Sequence, residues 1–452
     1  MRNETIAAIS TGMTASGISI VRISGPDAVR IADCIFAGKF KLSEVPSHTL
    51  HYGRIEKDGA AIDEALVSVM RAPHTYTGED TVEINCHGGL FLTKKVLEAV
   101  LSAGAKLAEP GEFTKRAFLN GRMDLSRAES VMSLISAENE HALKAGIRGL
   151  QGRIAEKIRS LRDRILDEIS FIEAALDDPE HYSLDGYAET LAEKVSDMED
   201  EAAELLRRSE NGSILREGVR TVIAGRPNAG KSSLINLLSG FEKSIVTEIP
   251  GTTRDIVEEP VRFGHVTLLL RDTAGLRPTD DPVERIGVDR AKEALDAADL
   301  VLYLVEAAAG KTAMDDEVLA KIPAGKVLIL YNKADLVPAE ARRPLSAEEG
   351  LYFSCRTEEG LEALETAVEK RFYAADFALN EEVVLTTDRQ MALLKDAMKS
   401  LAAVSEGIRE GVSEEFLSAD LLSAYTFLGQ ILGEAVADDV VDRVFEKFCM
   451  GK

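Results

Sequence analysis

Two periodicities divide the chain. In the first hundred residues apolar positions come as short runs. Residues 18–23 (ISIVRI) alternate in part and predict a strand, and residues 65–70 (ALVSVM) and 81–86 (TVEINC) predict two more. Gly88 and Gly89 follow the third run and open a helix through Val96 to Leu101. From about Asp124 the period lengthens. Residues 125–177 are rich in Ala, Leu, Glu, Arg and Ile and contain no proline. Leu161, Ile165, Leu166, Ile169, Ile172 and Leu176 recur at three and four, one face of a long helix. Pro179 and Asp185-Gly186 close it, and residues 190–208 predict a second, charged helix. The charged faces of both read as solvated. Helical spacing returns after residue 388, with Leu393, Leu394, Met398 and Leu401 on one face. Ser413 caps a second tail helix at Phe416, and Asp438-Asp439 begin a short last one. Between the helical stretches, Gly218 to about Phe372 reads as a domain of its own, inserted into a single helical domain. The predicted boundaries are 1–120 for a first, α+β or α/β domain, 121–216 and 379–452 for the two parts of the helical one, and 217–378 for the insert.

Composition narrows the partners. A chain of 452 residues with 45% hydrophobic positions can build two or three cores. Its formal charge of -24 argues against nucleic acid wrapped over a broad surface, and the absence of Trp leaves few platforms for stacked bases. Cys34, Cys86, Cys355 and Cys449 form no CxxC pair, so a reducing cytoplasm is the expected setting. The N-terminal residues lack a basic segment followed by an apolar core, so no signal peptide is expected. No run approaches 18 apolar residues, and no stable membrane insertion is expected.

The chemistry is concentrated in the insert. Residues 221–233 (TVIAGRPNAGKSS) read as a strand, a glycine-rich loop and a helix start, and residues 225–232 fit GxxxxGKS. Glycines let backbone N–H groups curl around an anion, and the helix N-terminus adds a positive dipole end. Lys231 would reach the β- and γ-phosphates and Ser232 would ligate Mg²⁺. Gly251-Thr252-Thr253-Arg254-Asp255 lies where a switch loop would set a threonine on Mg²⁺. The run 268–275 is a strand ending in Asp272-Thr273-Ala274-Gly275, in which Asp272 acts on the Mg²⁺ shell and Gly275 offers its N–H to the γ-phosphate. A third strand leads into Asn332-Lys333-Ala334-Asp335. The Asp335 carboxylate can accept from N1 and the exocyclic amine of guanine, a donor pair that adenine lacks, so GTP is expected over ATP. Ser354-Cys355-Arg356 sits where a loop would cover the base.

Hydrolysis poses a separate question. Where many GTPases carry a water-orienting glutamine after DTAG, this chain has Leu276. The candidates to align water and neutralise charge are Arg254, Arg277, Glu284 and a bound cation. Asn228 could make a loop hydrogen bond or face such a cation.

GRPNAGKSSLIN, TEIPGTTRD, DTAGLR, VERIG and the terminal FCMGK resemble the MnmE (TrmE) family of tRNA-modification GTPases. So do VRISG (21–25), YTGED (76–80), HGG (87–89) and PGEFTKRAFLN (110–120). The resemblance spans essentially the whole chain. It implies a multidomain α/β architecture: an N-terminal α+β folate-binding and dimerisation domain, an all-α helical domain, and a Ras-like P-loop G domain inserted into the latter. It also implies a cytoplasmic homodimer that joins an FAD-dependent partner in a heterotetramer or larger complex. The family's activity is modification of the wobble uridine of certain tRNAs at carbon 5, with a one-carbon unit from 5-formyltetrahydrofolate or a related tetrahydrofolate.

The implied GTP contacts are Asn228, Ala229, Gly230, Lys231, Ser232 and Ser233; Thr247, Glu248, Ile249, Pro250, Gly251, Thr252 and Thr253; Asp272, Thr273, Ala274 and Gly275; Asn332, Lys333, Ala334 and Asp335; and Ser354, Cys355 and Arg356. Ser232 and Thr253 would hold Mg²⁺. Asn228, Thr247, Ile249 and Thr252 would hold a K⁺ that takes the place of an arginine finger, and Glu284 would orient the water. Arg22, Glu83, Arg122 and Lys452 match folate positions, Arg122 standing where lysine is common. Met450 replaces an isoleucine, and Cys355 an alanine. Cys449 is either a functional thiol near the folate or a plain buried cysteine. The competing class is a GTP-dependent regulatory switch that acts on a protein partner and has no part in the tRNA chemistry.

Overall fold

The computed structural model describes residues 4–137, 140–240, 259–264, 266–271, 295, 298–346, 349–373, 383–446 and 448–451. The chain forms two compact units. One comprises Met1–Met132, Arg148–Ala202 and Asp388–Lys452, the other Ser133–Ile147 and Ala203–Thr387.

The first unit contains a seven-stranded sheet in the order β3-β4-β5-β6-β2-β1-β7. Its strands are β1 (Ile6–Ile9), β2 (Ser19–Ser24), β3 (Phe36–Gly38), β4 (Thr49–Lys57), β5 (Ala60–Met70), β6 (Thr81–Cys86) and β7 (Lys106–Leu107). Pairing is antiparallel except between β1 and β7. Alternation does the sorting here. Val21, Ile23, Val67, Val69, Val82 and Ile84 are buried in one core with Ile31 and Ile35 of α1 (Ala28–Ile35) and Val96 and Val100 of α2 (Leu90–Ser102). Arg22 and Glu83 fall at the intervening positions, on the opposite face. The three expected strands and the helix after Gly89 are all present, the second strand starting earlier, at Ala60.

Helices follow: α3 (Glu112–Leu119), α4 (Leu125–Ile135), α5 (Glu140–Leu150), α6 (Arg153–Asp177) and α7 (Tyr187–Glu217). Residues 125–177 are therefore three helices, and Gly152, at φ +85°, makes the break before α6. Ile158, Leu161, Ile165, Ile169 and Ile172 form the buried face of α6. Leu166 and Leu176 do not belong to it and are exposed. Leu166 lies about 100° round the helix from Ile165, and Leu176 sits in the last turn. The expectation of purely solvated charged faces also fails. Arg162 is buried, bidentate to Glu434 at 2.7 Å and stacked over the Tyr425 ring at 4.1 Å. Glu168 accepts from the Tyr187 hydroxyl at 2.7 Å and from Lys194 at 2.6 Å. A charge at the edge of an apolar face is retained because it is paired.

The second unit holds a six-stranded sheet in the order β13-β12-β11-β8-β10-β9. Its strands are β8 (Val219–Gly225), β9 (Glu259–Phe263), β10 (Val266–Arg271), β11 (Leu300–Glu306), β12 (Val327–Asn332) and β13 (Leu351–Tyr352). All neighbours are parallel except β9 and β10. The central strands are near-continuous apolar runs, as a sheet covered on both faces requires. The order doubles back beside β8, the switch point where α/β sheets bind ligands. α8 (Lys231–Leu238), α9 (Ala313–Leu319) and α10 (Leu361–Tyr373) complete this Ras-like P-loop unit. The tail helices of the first unit are α11 (Asp388–Glu410), α12 (Glu414–Leu432) and α13 (Asp438–Glu446). α12 starts where Ser413 predicts, but the Ser413 hydroxyl makes no capping hydrogen bond. On α11, Met391, Leu394, Ala397 and Leu401 are the buried stripe, whereas Leu393 and Met398 are only partly covered.

Candidate functional site

The phosphate cradle is shaped by backbone that tolerates no side chain. Gly225 ends β8 at φ +139°, and a Cβ there would lie 2.4 Å from the Leu304 carbonyl of β11. Gly230 has φ +103°, and its Cβ would meet Asn332 Nδ2 at 2.1 Å. Between them Asn228 is exposed at φ +65°, a conformation that asparagine tolerates better than most residues. Ala229 is buried, and Ser232 and Ser233 are exposed on the first turn of α8. The Lys231 ammonium donates to the carbonyls of Gly225 at 2.8 Å and Arg226 at 2.9 Å, so it is held against the loop.

Residues 332–335 and 354–356 are tied to the cradle. Buried Asn332 donates to the Ala229 carbonyl at 2.8 Å and accepts from the Cys355 N–H at 3.2 Å. Ser354 Oγ donates to Asp335 at 2.7 Å, Lys333 sits at φ +61°, and the Arg356 N–H donates to Ser354 Oγ at 3.3 Å. Residues 228–233, 332–335 and 354–356 therefore converge at one end of the sheet. Asn332 acts as a strut between the two loops. Burial pushes the Cys355 thiol up to about 11, against the Asn332 side chain, which pulls it down. Sequence reasoning passed over Arg226, which donates to the Gly310 carbonyl at 3.0 Å and pairs with Asp315 at 3.2 Å. Asp315 is buried in a capping box with Thr312, which marks it in sequence as TAMD. Burial pushes its carboxyl up, but the Thr312 and Tyr303 hydrogen bonds and Arg226 outweigh that and hold it below the usual range.

Thr247 to Thr253, Arg254, Asp272 to Gly275, Leu276, Arg277, Glu284 and Lys452 lie outside the described residues.

A second polar site stands on the sheet of the first unit. Arg22 and Glu83 are cross-strand partners, joined at 2.8 Å. Arg22 also donates to the Gly451 carbonyl at 3.2 Å, and its guanidinium lies over the rings of Tyr76 and Phe113. The C-terminal turn is fixed here. Gly451, at φ +85°, approaches so closely that a Cβ would lie 2.3 Å from the Ile9 carbonyl, and Ser10 Oγ also donates to its carbonyl. Gly111 N–H donates to the Cys449 carbonyl at 3.5 Å, while Cys449 itself is exposed, which removes the buried-cysteine alternative. Arg122 is exposed and donates to the Thr75 carbonyl at 3.1 Å. Tyr76, Phe113 and Gly451 were not singled out from sequence, although YTGED, PGEFTKR and FCMGK contain them. Beneath the site, buried Arg116 joins Glu112 and Glu79, and Glu79 accepts from Ser24. Among the described residues no helix is long and apolar enough to cross a membrane.

Comparison with known proteins identifies the family. Residues 5–122 match the family model of the GTP-binding protein TrmE N-terminus, and residues 125–449 match that of the MnmE helical domain. A tRNA modification GTPase MnmE of Lachnoclostridium phytofermentans is 47% identical over 458 residues, covering 100% of both chains. One from Listeria welshimeri is 45% identical with the same coverage. The solved structure of an Aquifex aeolicus Era variant bound to GDP.AlF4- aligns with 40% of this chain and 66% of its own at 25% identity, with a TM-score of 0.28, too low to carry weight. The full-length relatives and the two family models make the chain a member of the MnmE family of tRNA modification GTPases.

Proposed function

We propose that this GTP hydrolase is activated by potassium and works with an FAD-dependent partner on carbon 5 of the wobble uridine of certain tRNAs, drawing its one-carbon unit from 5-formyltetrahydrofolate or a related tetrahydrofolate. The observation that carries the folate reading is the meeting of Arg22, Glu83 and the Gly451 turn at one place on the sheet. A pterin presents neighbouring N–H donors, which a carboxylate such as Glu83 can accept as a pair. Lys452, Arg122 and the exposed Cys449 would complete that site.

On the nucleotide side, Asp335 would read guanine and Lys231 would turn from the loop carbonyls to the phosphates. The exposed Ser232 fits a Mg²⁺ ligand, with Thr253 as its companion. Exposed Asn228 fits a K⁺ ligand together with Thr247, Ile249 and Thr252. Such cations supply charge neutralisation at the phosphates. Glu284 orients the water, and Arg254 is a second candidate for neutralising charge. The protein works as a cytoplasmic homodimer, in a heterotetramer or larger assembly with its partner. Much of the affinity for tRNA comes from that partner, because a charge of -24 repels the RNA backbone.

GTP turnover in KCl and NaCl at equal ionic strength tests the cation. Faster turnover in KCl that disappears in Asn228→Ala supports it, and equal rates in both salts eliminate it. Calorimetry with 5-formyltetrahydrofolate tests the pocket. Wild type should bind and Arg22→Ala should not; absence of binding to wild type would favour a regulatory switch.

A further inference from the structure

The candidate folate site does not stop at Arg122. Arg122 holds the carbonyl of Thr75, and Tyr76, the next residue, faces Arg22. Contacts thus link Glu83 through Arg22 and the Thr75-Tyr76 segment to Arg122. Two residues on, Asp124 stands at the start of α4. One of its oxygens accepts from Ser126 Oγ at 2.6 Å and the Arg127 N–H at 3.0 Å, and the other meets Arg159 at 3.4 Å. The Arg127 guanidinium lies across Gly152, where a Cβ would come within 2.2 Å of it. It donates to the Gln151 carbonyl at 3.3 Å, and its Nε is buried with no hydrogen-bond partner. Arg153, mostly exposed, comes directly after Gly152 and has Glu156 at 3.5 Å. Arg127, Arg153 and Arg159 therefore gather about Asp124 and Gly152, Asp124 being two residues beyond Arg122, together with two carboxylates, Asp124 and Glu156. This is a local excess of positive charge in a strongly acidic chain.

If Glu83 takes the pterin, the glutamate end of the folate lies away from it, toward Arg122 as the next cation in that series of contacts. A monoglutamate would be met by Arg122 with no need of the arginines beyond. Each further γ-linked glutamate adds one carboxylate, and a row of guanidinium groups matches such a chain. We propose that Arg127, Arg153 and Arg159 form a track for the γ-glutamyl tail, so that the substrate class is polyglutamylated tetrahydrofolate. This rests on the folate reading above. An RNA backbone fits less well, since the cluster contains two carboxylates in a strongly acidic chain.

The test is calorimetry of the full chain with the monoglutamate and triglutamate of 5-formyltetrahydrofolate, using wild type and the double variant Arg153→Ser/Arg159→Ser. Both positions are exposed, and an unchanged Tm shows that the fold is retained. At low salt the triglutamate should bind about five- to tenfold more tightly than the monoglutamate. That margin should shrink to about twofold or less in the double variant, with monoglutamate affinity unchanged. Equal affinities in wild type, or a margin that survives the double variant, overturn the track. So does loss of tRNA affinity in the double variant with the margin intact, which would assign these arginines to RNA. Binding of neither folate instead refutes the folate reading itself.

Discussion

The cradle and the Arg22 site solve the problem of building a polar site by opposite means. The cradle comes from one contiguous stretch, residues 225–232, and its shape resides in the backbone. Gly225 and Gly230 hold positive φ angles at points where even one methyl group would collide with Leu304 or Asn332. The Arg22 site is assembled from β2, β6, the Tyr76 loop, α3 and the last turn of the chain, and it is held by side chains. A backbone site announces itself through spacing and glycines. A side-chain site with partners 61 and 429 residues apart has no local signature.

That contrast makes Gly225→Ala the most damaging single change. The left-handed φ and the 2.4 Å approach to Leu304 act together, and the substitution should cost the second unit about 4 kcal/mol. Urea denaturation reads this directly, and GTP binding should be lost with it. A variant of near wild-type stability would mean that the cradle is not defined by its backbone.

Asn332→Ala probes a place where the cradle depends on a distant side chain. It leaves the Cys355 N–H and the Ala229 carbonyl without their partner. At about 1 kcal/mol for each hydrogen bond, GTP affinity should fall about 30-fold with little change in the first unit. Affinity within threefold or so of wild type would show that the two loops hold their places unaided.

Arg22→Lys is the corresponding test on the other site. Lysine keeps the charge but has no planar fork, so it cannot serve Glu83 and the Gly451 carbonyl together. The loss is about 1 kcal/mol, roughly a fivefold drop in folate affinity. Carboxypeptidase should trim the C-terminus faster in the variant. Trimming at the wild-type rate would mean that the Gly451 turn rests on Ser10 and its backbone packing alone.

The same contrast explains what could be read in advance. GxxxxGKS, NKAD and the apolar strands before them are local patterns, so the strands, the loop and the segment 332–335 are legible as residues. Arg22 and Glu83 sit at ordinary alternating positions of two strands, and only the family resemblance singled them out. Tyr76 and Phe113, which flank the Arg22 guanidinium, carried no periodic signal of their own. Leu166 was misplaced because a three-and-four count tolerates a residue about 100° off the face. Arg162 and Glu168 were misread because pairing, which only the fold reveals, decides whether a charge can be buried.

The mildest test uses the thiols, one in each site. Cys355 lies behind the Asn332 strut, and burial holds its thiol up at about 11. At pH 8 only about one molecule in a thousand carries the reactive thiolate there. Cys449 lies on the exposed C-terminal turn. Iodoacetamide at pH 8 should therefore modify Cys449 well before Cys355, as peptide mapping would show. The Cys355 rate should then climb about tenfold per pH unit up to about pH 10, following its thiolate fraction. Simultaneous modification of the two at pH 8 would mean that the loop 354–356 opens freely. The nucleotide site would then be no more preformed than the tail that closes over Arg22.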